Sequence, residues 1–243
     1  MGNYLDKFIF ELESRGRDQK TINKYVKNLE SFAKHFNKHP KDLGIPQIKQ
    51  YMHFMLHEKK YAHNTVNSHL AAIRFYYRNI LFRYWYVDAV HQVKAPQKIP
   101  VILSEEEIAA MINNTNSLFY KAVFMLMYSS GLRQSEIRHM KTIDIDASRN
   151  IIDIRNAKGK VDRQGLLSPV AYQALHDYWR AFRVGKPKCD YLFVPTKNSL
   201  NGNLLKPLSH TAVGYMVKVG LKAAGIKKNL RRIHLDIPLQ YTF

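Results

Sequence analysis

Cysteine is nearly absent from this chain: Cys189 is the single one in 243 residues. One thiol cannot close an internal disulfide or build a cysteine-based zinc site. Its scarcity fits a reducing cytoplasm, and a lone cysteine is most often just a small packed residue. Acidic residues are also few, 19 Asp and Glu against 38 Lys and Arg, a formal net charge of +19. Apolar runs stop short of the roughly 18 residues that a membrane-spanning helix needs. No charged-then-apolar leader opens the chain, so neither a span nor a signal peptide is expected. Internal repeats are missing too.

What is present is an apolar fraction of 46%, enough for a sizeable core. The basic excess is not a tail. Fifteen basic residues face eight acidic ones up to Asp88, and 23 face 11 after it. A folded chain so charged repels itself, and a polyanionic partner is the usual reason to tolerate that. Nucleic acid is the first expectation, ahead of a membrane surface or a small-molecule substrate.

The first part reads as helices. Ile22, Tyr25, Val26, Leu29, Phe32, Ala33 and Phe36 repeat at the spacing of one helical face. Leu5, Phe8, Ile9 and Leu12 form a shorter stripe before it, and Ile45 to Leu56 and Val66 to Ile80 form two after it. Asn64 is placed to cap the fourth. Residues 1–88 are therefore expected to be a bundle of about four helices, which the basic excess makes a candidate helical DNA-binding domain. Its polar faces carry Lys20, Lys24, Lys27, Arg74 and Arg78, either as solvated charges or as phosphate contacts. His53 and His57 stand four residues apart, a metal-chelating spacing, but without a third ligand no metal site is expected. Residues 89–103, polar and with two prolines, read as a linker.

Residues 104–243 read as a mixed domain, mainly α with a small antiparallel β-sheet. Ser104 to Glu107 is a capping box, and Phe119 to Ser129 is apolar nearly all round, a buried helix stopped by Gly131. Ile151 to Arg155 and Val161 to Leu167 read as a hairpin with Lys158 and Lys160 at its tip. Ser168-Pro169 opens a helix expected to turn Tyr172, Leu175, Trp179 and Phe182 inward. Tyr191 to Val194 is expected as a strand, and Ser209 as the cap of a last helix.

The chemistry sits in Ser130-Gly131-Leu132-Arg133-Gln134-Ser135-Glu136-Ile137. Arg133 follows a buried helix and opens another. Its planar fork suits a phosphate, which it can hold by two parallel hydrogen bonds. Glu136, three residues on, shares its helical face and can hold it in place. The same pair can equally be an ordinary helix-end ion pair.

Gly-Leu-Arg-x-Ser-Glu-Ile resembles the first arginine box of the tyrosine recombinases, the phage integrase family. Lys158-Gly159-Lys160 and Arg163, about 25 residues later, are similar to that family's lysine hairpin. The opening helices, with Thr21, Ile22 and Tyr25, resemble its core-binding domain. The resemblance reaches to about Leu235. It implies a core-binding domain and a mixed α/β catalytic domain that clamp duplex DNA together with other recombinase subunits. It implies cleavage through a 3′-phosphotyrosyl intermediate with no cofactor. Arginines would stabilise the transferring phosphate, and a lysine would protonate the leaving oxygen. Carried over, Arg133 matches the first arginine, Lys158 the catalytic lysine with Lys160 as its rival, and Glu136 the supporting acid. Lys160 and Arg163 join the expected DNA contacts.

The pattern breaks after Leu235. The family continues with His-x-x-Arg and, further on, the nucleophilic tyrosine. If Phe243 is aligned with the phenylalanine that follows that box, its His, Arg and His become Ile237, Gln240 and Tyr241. If His234 is the box histidine, the arginine position is Ile237. Arg231 and Arg232 fit neither frame. The sequence-level expectation is an incomplete catalytic domain, truncated or substituted in this box, that binds duplex DNA and has lost strand cleavage. The rival expectation is a non-enzymatic DNA-binding accessory factor.

Overall fold

The computed structural model of the chain describes residues 3–85, 89–94, 96, 102–155, 162–185, 190–195 and 206–228. The chain divides into two compact units, Met1–Lys98 and Ile99–Phe243. Each has its own apolar core.

The first unit is built from α1 (Asn3–Ser14), α2 (Gln19–Phe36), α3 (Ile45–His53) and α4 (His63–Asn79). Asp18 caps α2 by accepting from the Thr21 backbone N–H at 2.8 Å. Asn37 ends it in the left-handed region, where a short polar side chain costs least. The α2 stripe buries Ile22, Leu29 and Phe32, as its periodicity requires. Asn28 is buried among them, and its amide donates to the Ser68 carbonyl and hydroxyl at 3.0 and 3.2 Å, fastening α2 to α4. The Tyr77 hydroxyl lies 2.6 Å from the Pro40 carbonyl and 2.8 Å from that of Leu43. Asn64 does not cap α4. The helix starts at His63 with Ala62 at the cap position, so Asn64 already lies inside the first turn. Past α4, Val90 is buried in this core, and the Asn67 amide clasps both backbone groups of Val93 at 2.8 Å each.

The second unit runs α5 (Glu105–Asn113), α6 (Leu118–Ser130), α7 (Gln134–His139), then β1 (Ile145–Asp146), β2 (Ile151–Ile154) and β3 (Arg163–Leu166), then α8 (Pro169–Phe182) and α9 (Ala212–Ala223). The strands form an antiparallel sheet in the order β1-β2-β3, with Ile154 opposite Arg163 and Ile151 opposite Leu166. Ser104 and Glu107 form the expected capping box. Gly131 stops α6 at φ +57°.

Several local expectations are corrected. In α8 the buried residues are Ala171, Ala174, Leu175 and Tyr178, while Tyr172 and Phe182 are exposed. The two alanines present a low surface for close helix packing, and the Tyr178 hydroxyl finds a buried acceptor in the Leu192 carbonyl. Tyr191 to Val194 makes one bridge, Lys141 to Tyr191, rather than a strand. Its partner is extended only between the end of α7 and a 3-10 turn starting at Thr142. β1 was not anticipated, since two residues carry no readable alternation. Ser209 does not cap α9, which starts at Ala212 after Thr211.

Candidate functional site

The arginine box folds as a sharp corner between two helices. Gly131 takes the left-handed conformation that a side chain would strain, and Leu132 is buried behind it. Arg133 then stands in extended geometry at the cap position of α7. Its side chain is 46% exposed, so the guanidinium emerges from the corner into solvent.

Beneath it lies Glu136, whose side chain is 3% exposed. A buried carboxylate is costly unless its oxygens are occupied. Here both are. Oε1 accepts from Arg133 Nη1 at 2.8 Å. Oε2 accepts from the Arg133 backbone N–H and from Arg163 Nη2, each at 2.9 Å. Burial pushes the Glu136 carboxyl up, but hydrogen bonds from Arg133 and the charge and hydrogen bond of Arg163 outweigh it. The group is held below the usual carboxylate range.

Arg163 comes from β3. Besides Glu136 it donates to the Gly131 carbonyl at 2.9 Å and to that of Ser130 at 3.5 Å. The strand is held against the corner at two more points. The Ser130 hydroxyl donates to the Leu166 carbonyl at 2.6 Å. Gly165 faces Ser130 so closely that a Cβ would sit 3.1 Å from the serine Cβ. Spacing could not reveal the Arg163 contact, because 27 residues separate it from Glu136.

Among the described residues Nε and Nη2 of Arg133 carry no protein partner. That edge of the guanidinium is the one that can fork onto two oxygens of a phosphate. Lys158 and Lys160 lie outside the described residues, as do Cys189, Arg231, Arg232, His234 and Tyr241.

On the first unit, Lys20, Lys24 and Lys27 are exposed on α2 at one helical face, opposite the core, with no ion pair among the described residues. Arg78 is exposed on α4. Arg74 is half-buried and bonded to the Val90 carbonyl, so it holds the chain leaving α4. The His53 and His57 rings are 4.2 Å apart, and no third ligand joins them among the described residues. No described helix is long and apolar enough to cross a membrane.

Two family models match this chain. Residues 4–86 match the phage integrase N-terminal SAM-like domain, and residues 102–235 match the phage integrase family model. The chain belongs to the phage integrase, or tyrosine recombinase, family. Among its integrase relatives, the Sinorhizobium fredii protein y4qK, named as an integrase/recombinase, is 34% identical over 184 residues, covering 75% of this chain and 58% of that protein. The tyrosine recombinase XerA of Pyrococcus horikoshii is 25% identical over 228 residues, 91% of this chain and 73% of the relative. The chain spans 58% and 57% of the lengths of two Sinorhizobium fredii relatives. Its integrase fold is also found in a lambda integrase dimer bound to a COC′ core site, with TM-score 0.70 at 16% identity over 94% of this chain and 82% of that one. A Tn1549 transposon integrase in complex with circular intermediate DNA matches with TM-score 0.62 at 16% identity, over 98% and 82%.

Proposed function

We propose that this chain binds duplex DNA as a subunit of a site-specific recombinase, with Arg133 on the phosphate at the reaction centre. The observation that carries this reading is the Nε–Nη2 edge of Arg133, free among the described residues and displayed on a buried carboxylate that is itself neutralised from two sides. Such a guanidinium is preorganised: its orientation is set before a phosphate arrives, so little reorganisation is needed as charge develops there. A chance helix-end pair would not bury its acid or recruit a second arginine.

The role of the hairpin lysine follows from the family, and the remaining cations are assigned by charge and, among the described residues, by exposure. Lys158, with Lys160 as its rival, is the hairpin lysine that would protonate the leaving oxygen. Lys20, Lys24, Lys27 and Arg78 are the phosphate contacts of the first unit, with Lys160 alongside them in the second; Arg163, the other expected contact, has its guanidinium engaged by Glu136 and the Gly131 carbonyl. Partners would be double-stranded DNA and further recombinase subunits. The solved relatives bound to DNA, one of them a lambda integrase tetramer on a Holliday junction, support both. No cofactor enters this chemistry, which transfers a phosphoryl group to a hydroxyl and back.

The box expected to give a second arginine places Ile237 or Gln240 at that position, neither of which carries a charge. DNA binding without efficient strand cleavage is therefore the proposed behaviour of these residues. Two measurements test it. Binding to a short duplex should weaken steeply with salt, as phosphate neutralisation requires; a flat salt response would remove DNA as the partner. On a nicked suicide substrate no covalent protein–DNA adduct should accumulate, and an adduct abolished by Tyr241→Phe would refute the non-cleaving reading.

A further inference from the structure

We infer that Arg163 is a positioning residue of the arginine site: it supplies the second counter-charge of Glu136 and locks β3 to the Ser130–Leu132 corner, which leaves Arg133 with surplus positive charge for a phosphate. The inference rests on Arg133 being the phosphate-binding group.

Arg133 and Glu136 alone sum to zero, and a buried carboxylate would compete with an incoming phosphate for the one guanidinium. With Arg163 the cluster carries one net positive charge. Glu136 can then keep a neutralising partner while Arg133 turns its free edge outward. The geometry supports this division of labour. Arg163 Nη2 is shared between the Gly131 carbonyl and Glu136 Oε2, and Nη1 leans on the Ser130 carbonyl. Those carbonyls sit at the C-terminal end of α6, where unpaired acceptors favour a cation. The Arg163 guanidinium is thus turned into the corner, whereas that of Arg133 points out of it.

The lock also links two parts of the site. Arg163, Gly165 and Leu166 all touch the corner, so the strand returning from the lysine hairpin has its place fixed by the residues that hold Arg133. Lys158 stands five positions before Arg163 in the chain, a reach of at most about 18 Å even if fully extended.

The test uses the full chain with Arg163→Met, Glu136→Gln, the double variant, and Arg163→Lys. Affinity for a short duplex at fixed salt should fall about tenfold in Arg163→Met. Adding Glu136→Gln should restore most of it, because the acid that then monopolises Arg133 is gone; such non-additivity is the signature of a shared cluster. Arg163→Lys keeps the charge but not the fork and should fall between, which also covers the case in which the Met variant folds poorly. Failure of Glu136→Gln to restore affinity would mean that Arg163 touches DNA itself or acts only in folding, and either overturns the inference.

A DNA-free arm separates this from the binding reading. Among the described residues the charged groups bonded to Glu136 are Arg133, at the cap of its own helix, and Arg163 from β3, whose guanidinium also bonds the Ser130 and Gly131 carbonyls at the end of α6. Acid unfolding of Arg163→Met should therefore begin at higher pH than wild type, by up to about one unit, and Glu136→Gln should erase the difference. If wild type holds no duplex, the DNA reading falls, and this acid profile alone decides whether Arg163 governs Glu136. No shift in Arg163→Met overturns the inference.

Discussion

The two units bury polar groups for different ends. The first fastens its helices with neutral groups: Asn28 on Ser68, and the Tyr77 hydroxyl near the Pro40 and Leu43 carbonyls. Its cations on α2 stand outside, unpaired among the described residues. The second unit buries acidic and basic side chains, Glu136, Asp144 and Arg183. At Glu136 the buried charge orients a half-exposed arginine. The contrast is between a surface, where charge number matters and placement is tolerant, and a site, where one guanidinium must be aimed. Only the second kind requires charge to be taken out of water, and the largest mutational effects should concentrate there.

The largest concerns Glu136→Ala. Breaking a buried ion pair by removing one partner typically costs 3–5 kcal/mol, because the other charge is left stranded. Arg133 and Arg163 are 46% and 34% exposed and can recover water, so a value at the low end, about 3 kcal/mol, is expected. Chemical denaturation of the full chain reads it, provided the second unit is followed by its own probe. A loss below about 1 kcal/mol would place Glu136 among ordinary surface pairs and collapse the contrast between the units.

In the first unit the matching change is Asn28→Ala. The amide donates two hydrogen bonds to Ser68, but the lost partners are neutral, so about 1–2 kcal/mol is expected. The denaturation midpoint of the first unit should move while DNA affinity per folded molecule stays unchanged. Loss of affinity without loss of stability would show that Asn28 shapes the binding surface and not merely the helix pair.

Acid sharpens the same distinction. Glu136 has its folded-state carboxyl held below the usual value, so it contributes stability that is fully present above the unfolded carboxylate range, about pH 4.3. That contribution fades as pH falls through the lower folded-state value. The second unit should therefore loosen on the acid side with a dependence that Glu136→Gln removes. The test is pH-dependent unfolding of wild type against Glu136→Gln, and parallel profiles would refute it.

How much of this was legible in the sequence follows from the range of each interaction. Helices with one apolar stripe were readable, because periodicity is local, and so was the Ser104 box, whose partners are three residues apart. The arginine box was readable for the same reason: its spacing puts Glu136 within reach of Arg133, and the structure has them 2.8 Å apart. On α8 size is a poor sign of burial: Ala171 and Ala174 are buried because they are small, while Tyr172 and Phe182 stand exposed. The link from Arg163 to Glu136 joins segments that meet only when β3 packs on the end of α6, and no local pattern encodes it. Family resemblance did not supply which way Arg163 turns.

The smallest effects belong to the α2 lysines. Lys20, Lys24 and Lys27 follow one another at four and three residues along the exposed face, so successive side chains stand about 5–6 Å apart. A phosphate contact made by a solvated ammonium contributes mainly through counterion release. Each Lys→Ala change should weaken duplex binding by about threefold, leave the melting temperature within error, and reduce the slope of log affinity against log salt by about one. The triple variant should lower the slope by about three, because each phosphate contact releases its own counterions. Arg133→Ala should behave differently, with a larger loss of affinity for a slope change no greater than one, since its orientation and not only its charge is removed. If one lysine dominates the three, or if all three leave the slope untouched, α2 is a solvated face and the DNA surface of the first unit lies elsewhere, with Arg78 on α4 the next residue to substitute.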